Sequence, residues 1–108
     1  MEEEKRSVPR TPLKARGLIR LANGQTLELR TTDICASGLG AVCEVALALG
    51  SEVALDVQFY HSGAVRSLYA RCRITHSVYG GGGFKFGLHF IELPLESMAA
   101  VRAVMVAA

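Results

Sequence analysis

The sequence predicts an all-β domain that ends in one α-helix. Short runs of alternating apolar and polar residues fill most of the chain, and turn-forming residues separate them about every 8–12 residues. After Pro94 the apolar residues change to the spacing of a helix. This pattern favours antiparallel hairpins over a parallel sheet, and six such strands around one core would close into a small barrel.

Composition indicates a single soluble domain. The chain has 108 residues, half of them hydrophobic, so it can bury a core and disorder over its whole length is excluded. Its net charge of +2 is too small for a general DNA- or RNA-binding protein. No run of about 18 apolar residues predicts a membrane span, and the polar N-terminus does not resemble a signal peptide. We expect a cytoplasmic protein, monomeric or dimeric.

Residues 1–12 are expected to be a flexible segment ahead of the domain. They are polar and contain Pro9 and Pro12, which disfavour a helix. The domain itself is predicted to occupy residues 13–108, with its helix starting near residue 94.

The first half of the domain is predicted to contain three strands. The first covers residues 13–21, and the pair Asn23-Gly24 predicts a hairpin turn to the second. The alternation breaks after the second strand, where Gly38 and Gly40 indicate a turn or bulge. A short third strand is expected over residues 39–45.

Three more strands follow, over residues 52–59, 67–76 and 84–90. His61–Gly63 and Gly80–Gly83 are predicted to be the turns between them. The residues expected to face the core are Val53, Leu55, Val57, Phe59, Leu68, Ala70, Cys72, Ile74, Phe84, Phe86, Leu88 and Phe90.

The C-terminal helix is expected to bury one apolar stripe. Leu95, Met98, Val101 and Met105 have the spacing of a single helix face. Glu96, near the predicted start, suits the positive end of the helix dipole.

The residues that enzymes and metal sites use are scattered. The three histidines lack metal-ligand spacing, and no HExxH or GxSxG motif occurs. The three cysteines form no CxxC pair, which argues against a zinc site, and Cys43 and Cys72 are expected to be buried apolar residues. We predict no catalytic residues, no metal and no cofactor.

Two arginines form the first candidate binding feature. Arg6 and Arg10 flank the sequence Ser-Val-Pro, and Pro9 biases Val8 towards an extended backbone. Two guanidinium groups held in this way could bind anionic groups or the O6 and N7 acceptors of guanine. The alternative is a solvated basic segment without a ligand.

The second feature, residues 33–38, lies where a strand is expected to end. The Asp33 carboxylate could accept hydrogen bonds from guanine N1–H and N2–H₂, and Gly38 would let backbone N–H groups approach a ligand. Ser37 lies between them. The alternative is a turn that only ends the strand.

Together the two features resemble the PilZ domain family. That family carries RxxxR in an N-terminal loop and, about one hairpin later, (D/N)xSxxG. Arg6 and Arg10 match the first motif, and Asp33 and Gly38 match two of the three positions of the second. The segments DIxxxGLG and GLHFIEL are also similar to the family, so the resemblance covers essentially the whole chain.

The resemblance implies a six-stranded antiparallel barrel that receives the bacterial second messenger cyclic di-GMP. It implies that the Arg segment wraps the ligand, that residues 33–38 line its site, and that the signal passes to an effector protein not identifiable from the sequence. The chain departs from the family at Cys35, which stands where the motif has Ser. The alternative function is therefore a protein-interaction module of the same fold with weak or no nucleotide binding.

Overall fold

Residues 10–107, which the computed structural model describes, form seven strands followed by one helix. Arg6 and the rest of residues 1–9 lie outside this range. The elements are β1 (Thr11–Pro12), β2 (Arg16–Arg20), β3 (Thr26–Cys35), β4 (Gly38–Cys43), β5 (Glu52–His61), β6 (Ala64–Gly80), β7 (Gly83–Glu92) and α1 (Leu95–Ala107).

Antiparallel pairing joins six of these strands into a closed ring. The neighbours run β3, β2, β5, β6, β7 and β4, and the pairing of β4 with β3 completes the ring. The short β1 pairs with Asp33 and Ile34, near the C-terminal end of β3. The predicted fold class, antiparallel strands with one C-terminal helix, is confirmed.

The start of the domain differs from the expected boundary at residue 12. Thr11 pairs with Ile34 and Pro12 with Asp33, so the sheet begins before residue 13. β2 begins at Arg16, three residues later than predicted. The apolar–polar alternation of the sequence could not predict β1, because a strand of two residues is too short to show a repeating pattern.

Thr31 connects the chain between β1 and β2 to β3. Its side chain is 3% exposed and its hydroxyl donates to the Leu13 carbonyl, while the Ala15 N–H donates to that hydroxyl at 2.9 Å. Because the buried hydroxyl both donates and accepts, these hydrogen bonds offset the cost of removing it from water. This contact holds Leu13 against the core, although it lies outside a strand.

The hairpin of β6 and β7 is longer than predicted. β6 has 17 residues instead of the expected ten of 67–76, and Gly80 pairs with Gly83. The turn is therefore Gly81-Gly82 alone, where φ is +64° and +85°. Glycine adopts these values without the steric cost that a side chain would bring.

The predicted strand phases agree with the core. On β5 and β6 every residue expected to face inward is buried, whereas Phe84 and Phe90 of β7 are only partly buried. Cys43 and Cys72 are buried free thiols, as expected, and burial raises the pKa of Cys72 to about 12.

The buried face of α1 differs from the prediction. Leu95 is 83% exposed and Met98 is 42% exposed, while the residues at 9% exposure or less are Ser97, Ala100, Val101 and Val104. The helix is apolar on several sides, so spacing alone could not select the stripe. The Ser97 hydroxyl accepts the Tyr69 N–H at 2.7 Å, which fixes the helix orientation on β6.

Within residues 10–107, no helix has both the length and the apolar content that a membrane crossing requires.

Candidate functional site

Arg10 and Asp33 form a two-pronged ion pair on the outer surface of the sheet. Arg10 Nε donates to Asp33 Oδ2 at 3.1 Å, and Nη2 donates to Oδ1 at 2.9 Å. The side chains are 47% and 34% exposed, so solvent or a ligand can reach both. The geometry is the fork-to-fork arrangement that guanidinium and carboxylate groups favour.

Strand pairing brings these two residues together across 23 positions of sequence. Pro12 lies opposite Asp33 in the β1–β3 pairing, which places Arg10 at the end of β3. A register shift between Thr31 and Asp33 in the β3–β4 pairing marks a bulge at this point. Bulges redirect side chains at the ends of sheets, and here Asp33 lies beside Arg10.

Cys35 and Ser37 extend the cluster around Arg10. Arg10 Nη1 lies 3.8 Å from Cys35 Sγ, and the same sulfur lies 3.5 Å from Ser37 Oγ. Burial acts to raise the pKa of the Cys35 thiol, but contacts with Ser37, the Gly38 backbone and Arg10 outweigh it, so the pKa is lowered. Arg10, Asp33, Cys35 and Ser37 thus form one connected group.

Gly38 is at the start of β4, and packing explains its lack of a side chain. A Cβ atom there would overlap the carbonyl oxygen of Leu88 and lie 3.2 Å from the Cα atom of His89. Both belong to β7, which pairs directly with β4 at this position. The structure gives Gly38 a role in strand approach; a role in ligand approach stays a prediction.

Gly40 belongs to the site, whereas the sequence predicts for it only a turn or bulge. It lies opposite Asp33 in the β3–β4 pairing, and its backbone helps to lower the pKa of the Asp33 carboxyl. A Cβ atom at Gly40 would lie 2.7 Å from Asp33 Oδ1 and 2.8 Å from Thr32 Oγ1. The only signal was the Gly38-Leu39-Gly40 sequence itself, which does not indicate a contact with β3.

The outer surface continues from Asp33 across two glycines to His76. Successive strand partners run from Asp33 to Gly40, from Gly40 to Gly87, and from Gly87 to His76. The His76 ring lies over Gly87, where a Cβ atom would overlap it. These four residues form a shallow surface, with the Arg10–Asp33 ion pair at one end and the His76 imidazole at the other.

The structure brings together four of the six predicted site residues. Arg10 contacts both Asp33 and Cys35, Cys35 also contacts Ser37, and the Gly38 backbone adjoins Cys35. Arg6 lies outside the described residues. No cluster of three or more metal-ligating side chains occurs within the described range.

The pKa of the Asp33 carboxyl lies below its ordinary value. The hydrogen bond from Arg10 is the largest cause, burial opposes it, and the charges of Arg10 and Lys85 and the Gly40 N–H add to the lowering. The same pair raises the pKa of Arg10. The site is therefore ionised at neutral pH, with one cation and one anion side by side.

The Arg10–Asp33 pair makes the stability of the folded domain depend on pH in the acid range. A carboxyl whose folded pKa is depressed stabilises the fold above its unfolded pKa, and that contribution disappears as the pH falls through the folded value. Replacing Arg10 by Ala is expected to return the Asp33 pKa towards its ordinary value. Carboxyl-carbon NMR titration of both proteins measures this; an unchanged Asp33 titration would contradict it.

The pair offers both hydrogen-bond donors and acceptors to one ligand. A guanidinium binds phosphate oxygens or the acceptor edge of a purine, and a carboxylate binds N–H groups of a base. Because the pair is open to solvent on a shallow face, it suits reversible binding of a polar ligand that has an anionic group and a base.

Comparison with protein families finds one model, that of the PilZ domain, which matches residues 4–107. A search of curated proteins finds no match.

Several solved structures share the fold. The PilZ domain of YcgR from Escherichia coli, with c-di-GMP, is 17% identical over 93% of this chain and 88% of that chain, with a TM-score of 0.70. The inhibitor of motility MotI/DgrA from Bacillus subtilis is 14% identical, with a TM-score of 0.77; the match covers 92% of this chain but 47% of that one. PlzA from Borreliella burgdorferi, in complex with c-di-GMP, is 12% identical over 89% of this chain and 39% of that chain, with a TM-score of 0.62. This chain thus spans half or less of the latter two proteins.

Proposed function

The chain belongs to the PilZ domain family, and on this premise we propose that it is a receptor domain for cyclic di-GMP. Two structures with the same fold, the YcgR PilZ domain and PlzA, contain this ligand. The observation that carries the proposal is the contact of Arg10 with Asp33 and Cys35, which joins the two motifs in one exposed site. The domain acts by binding and relays the ligand's level to an effector protein.

Arg10 can bind the ligand without releasing Asp33. A guanidinium has five N–H donors, and the contacts with Asp33 and Cys35 occupy three nitrogen atoms with one donor each. The second N–H of Nη1 and of Nη2 stays available. We therefore propose that Asp33 orients Arg10 towards a phosphate or a guanine O6/N7 edge. The Asp33 carboxylate at the same time accepts hydrogen bonds from guanine N–H groups.

Isothermal titration with cyclic di-GMP tests the proposal. We expect binding at low-micromolar strength or somewhat tighter, on protein whose fold is verified by circular dichroism. Cyclic di-AMP is the matched control, because adenine lacks the O6 acceptor and the N1–H and N2–H₂ donors of guanine. Absence of heat with excess cyclic di-GMP, or equal binding of both dinucleotides, would contradict the proposed recognition.

Cys35 to Ser is expected to tighten cyclic di-GMP binding. The thiol is a weak hydrogen-bonding group that already lies against Arg10 and Ser37, whereas a hydroxyl would match the family motif. One added neutral hydrogen bond amounts to about 0.5–1.5 kcal/mol, or up to roughly tenfold in Kd. Ser37 to Ala in parallel shows whether Ser37 already supplies that hydroxyl; if so, Cys35 to Ser changes little and Ser37 to Ala weakens binding.

We also propose that the ligand orders the segment before Arg10. That segment is polar and contains Pro9, and its ordering entropy would be offset by charge-assisted contacts from Arg6 and Arg10. Thr11 and Pro12 already pair with β3, so the change is expected within residues 1–9. Heteronuclear NOE values that are equal with and without cyclic di-GMP would rule out this mechanism.

The alternative, a protein-interaction module of the same fold, is favoured by Cys35 at the Ser position of the motif. It predicts a stable folded domain that gives no heat with cyclic di-GMP. The titration above therefore separates the two functions directly.

A further inference from the structure

A wide groove lies on the arc of the ring opposite β4. It has a volume of about 710 Å³ and is open to solvent between β2, β5 and β6 and the segment that joins β7 to α1. Its lining includes the small residue Ala54 and the larger apolar residues Leu18, Tyr69, Leu93 and Pro94. The ligand site described above contributes no residue to this groove.

Large apolar side chains are exposed at the groove and on its rim. Leu18 is 44% exposed and Tyr69 is 40% exposed, although both line the groove. Leu95 directly follows the rim residue Pro94 and is 83% exposed. A concave apolar surface beside a protruding leucine is typical of an interaction surface.

Two charged residues at the groove lack an ion pair. Arg20 lies opposite Ala54, and Asp56 lies opposite Leu18, on neighbouring strands of the same face. Neither forms an ion pair within the described residues. Arg71 on the same face differs, because its guanidinium contacts the carboxylates of Glu52 and Glu92.

The groove is lined by equal numbers of cationic and anionic side chains, and this balance disfavours a strongly charged partner. Arg20 and Asp56 are one cation and one anion, and Arg71 and Glu92 are another such pair. A strongly acidic or basic partner would gain from one member of each pair and lose from the other. A twofold interface requires a surface complementary to itself, and a free cation beside a free anion satisfies this requirement.

We propose that this groove is the interface at which a second copy of the chain binds, related by a twofold axis. Arg20 of each copy pairs with Asp56 of the other, and Leu18 and Tyr69 form the apolar centre. Leu95 of each copy fills part of the groove of its partner. In this dimer Leu95, the groove, Arg20 and Asp56 all lie in one interface.

The dimer leaves both ligand sites open. Asp33 lies near the end of β3, beyond the residues Thr26–Arg30 that pair with β2. The proposed interface uses the outer faces of β2, β5 and β6 instead. Dimer formation and ligand binding are therefore separate properties that separate experiments measure.

Sedimentation velocity of the full chain, without ligand, tests the proposal through a charge swap. The wild-type protein is expected to dimerise between the low-micromolar range and several hundred micromolar. Arg20 to Asp and Asp56 to Arg should each weaken dimerisation by roughly tenfold or more, because each places like charges together across the interface. The double variant should recover the wild-type dimer, since the swapped charges pair again.

Arg30 to Asp is the matched control, because Arg30 is an exposed strand arginine that does not line the groove. It should dimerise as wild type does, and circular dichroism verifies that every variant is folded. A wild-type monomer over the whole range would overturn the proposal. So would dimers that persist in both single variants, or a double variant that stays monomeric while folded.

Discussion

Replacing Arg10 by alanine is expected to weaken cyclic di-GMP binding by roughly tenfold or more, since charge-assisted hydrogen bonds are worth about 1.5–3 kcal/mol. Arg10 is the described residue that links both motifs, because it contacts Asp33 and Cys35 at once. Its loss removes the ligand's cationic partner and leaves the Asp33 carboxylate unopposed near the phosphates. Both effects act in the same direction.

The same substitution should leave the domain folded. The Arg10 side chain is 47% exposed, and its guanidinium pairs with Asp33 at the surface. An exposed ion pair contributes about 0–1 kcal/mol to stability, so the melting temperature should change little. Binding and stability are thus expected to separate at this position.

Titration and a thermal melt of each variant measure this separation. Arg16 to Ala is the matched control, because Arg16 is exposed on β2 and contacts neither Asp33 nor Cys35. Arg6 to Ala extends the test to the first motif position, outside the described residues. If Arg10 to Ala binds as the wild type does, the cluster is not the ligand site and the protein-interaction function becomes the better explanation.

The strand phases were predictable because alternation has a period of two residues. On β5 the inward residues are uniformly apolar and those on the other face include Glu52 and Asp56, so a slip by one residue would bury charge. The buried stripe of α1 was not predictable in this way. Its sequence offers apolar residues in several directions, and the choice depends on Ser97 meeting a backbone N–H of β6.

The candidate site was predictable as a set of residues but not as a set of contacts. The spacing of the motifs identified Arg10 and Asp33, yet their contact depends on β1, a strand of two residues without a periodic signal. Gly40 was missed for a related reason. It lies opposite Asp33 in the shifted register of β3 and β4, and local sequence does not encode that shift.

Gly38 illustrates how one residue can satisfy a motif and the fold together. The motif suggested that a ligand approaches its backbone, while the structure shows the Leu88 carbonyl in the space that a Cβ atom would need. The two explanations predict different results for the same substitution.

Gly38 to Ala is expected to destabilise the domain by about 1–3 kcal/mol, the range typical of forcing extra atoms into packed structure. The obstacle is the backbone of β7, which cannot move aside as a side-chain end can, so the pairing of β4 with β7 must shift. Gly40 to Ala should cost less, because there the nearest atoms are the side-chain ends of Asp33 and Thr32.

Urea unfolding of Gly38 to Ala against Gly80 to Ala measures the packing effect alone. Gly80 is the matched control, because its φ is not positive and a Cβ atom there would meet nothing within 4 Å. We expect Gly80 to Ala to unfold within about 0.5 kcal/mol of the wild type. If Gly38 to Ala were equally stable but failed to bind cyclic di-GMP, the packing explanation would be wrong. Gly38 would then be required for the approach of the ligand to the backbone.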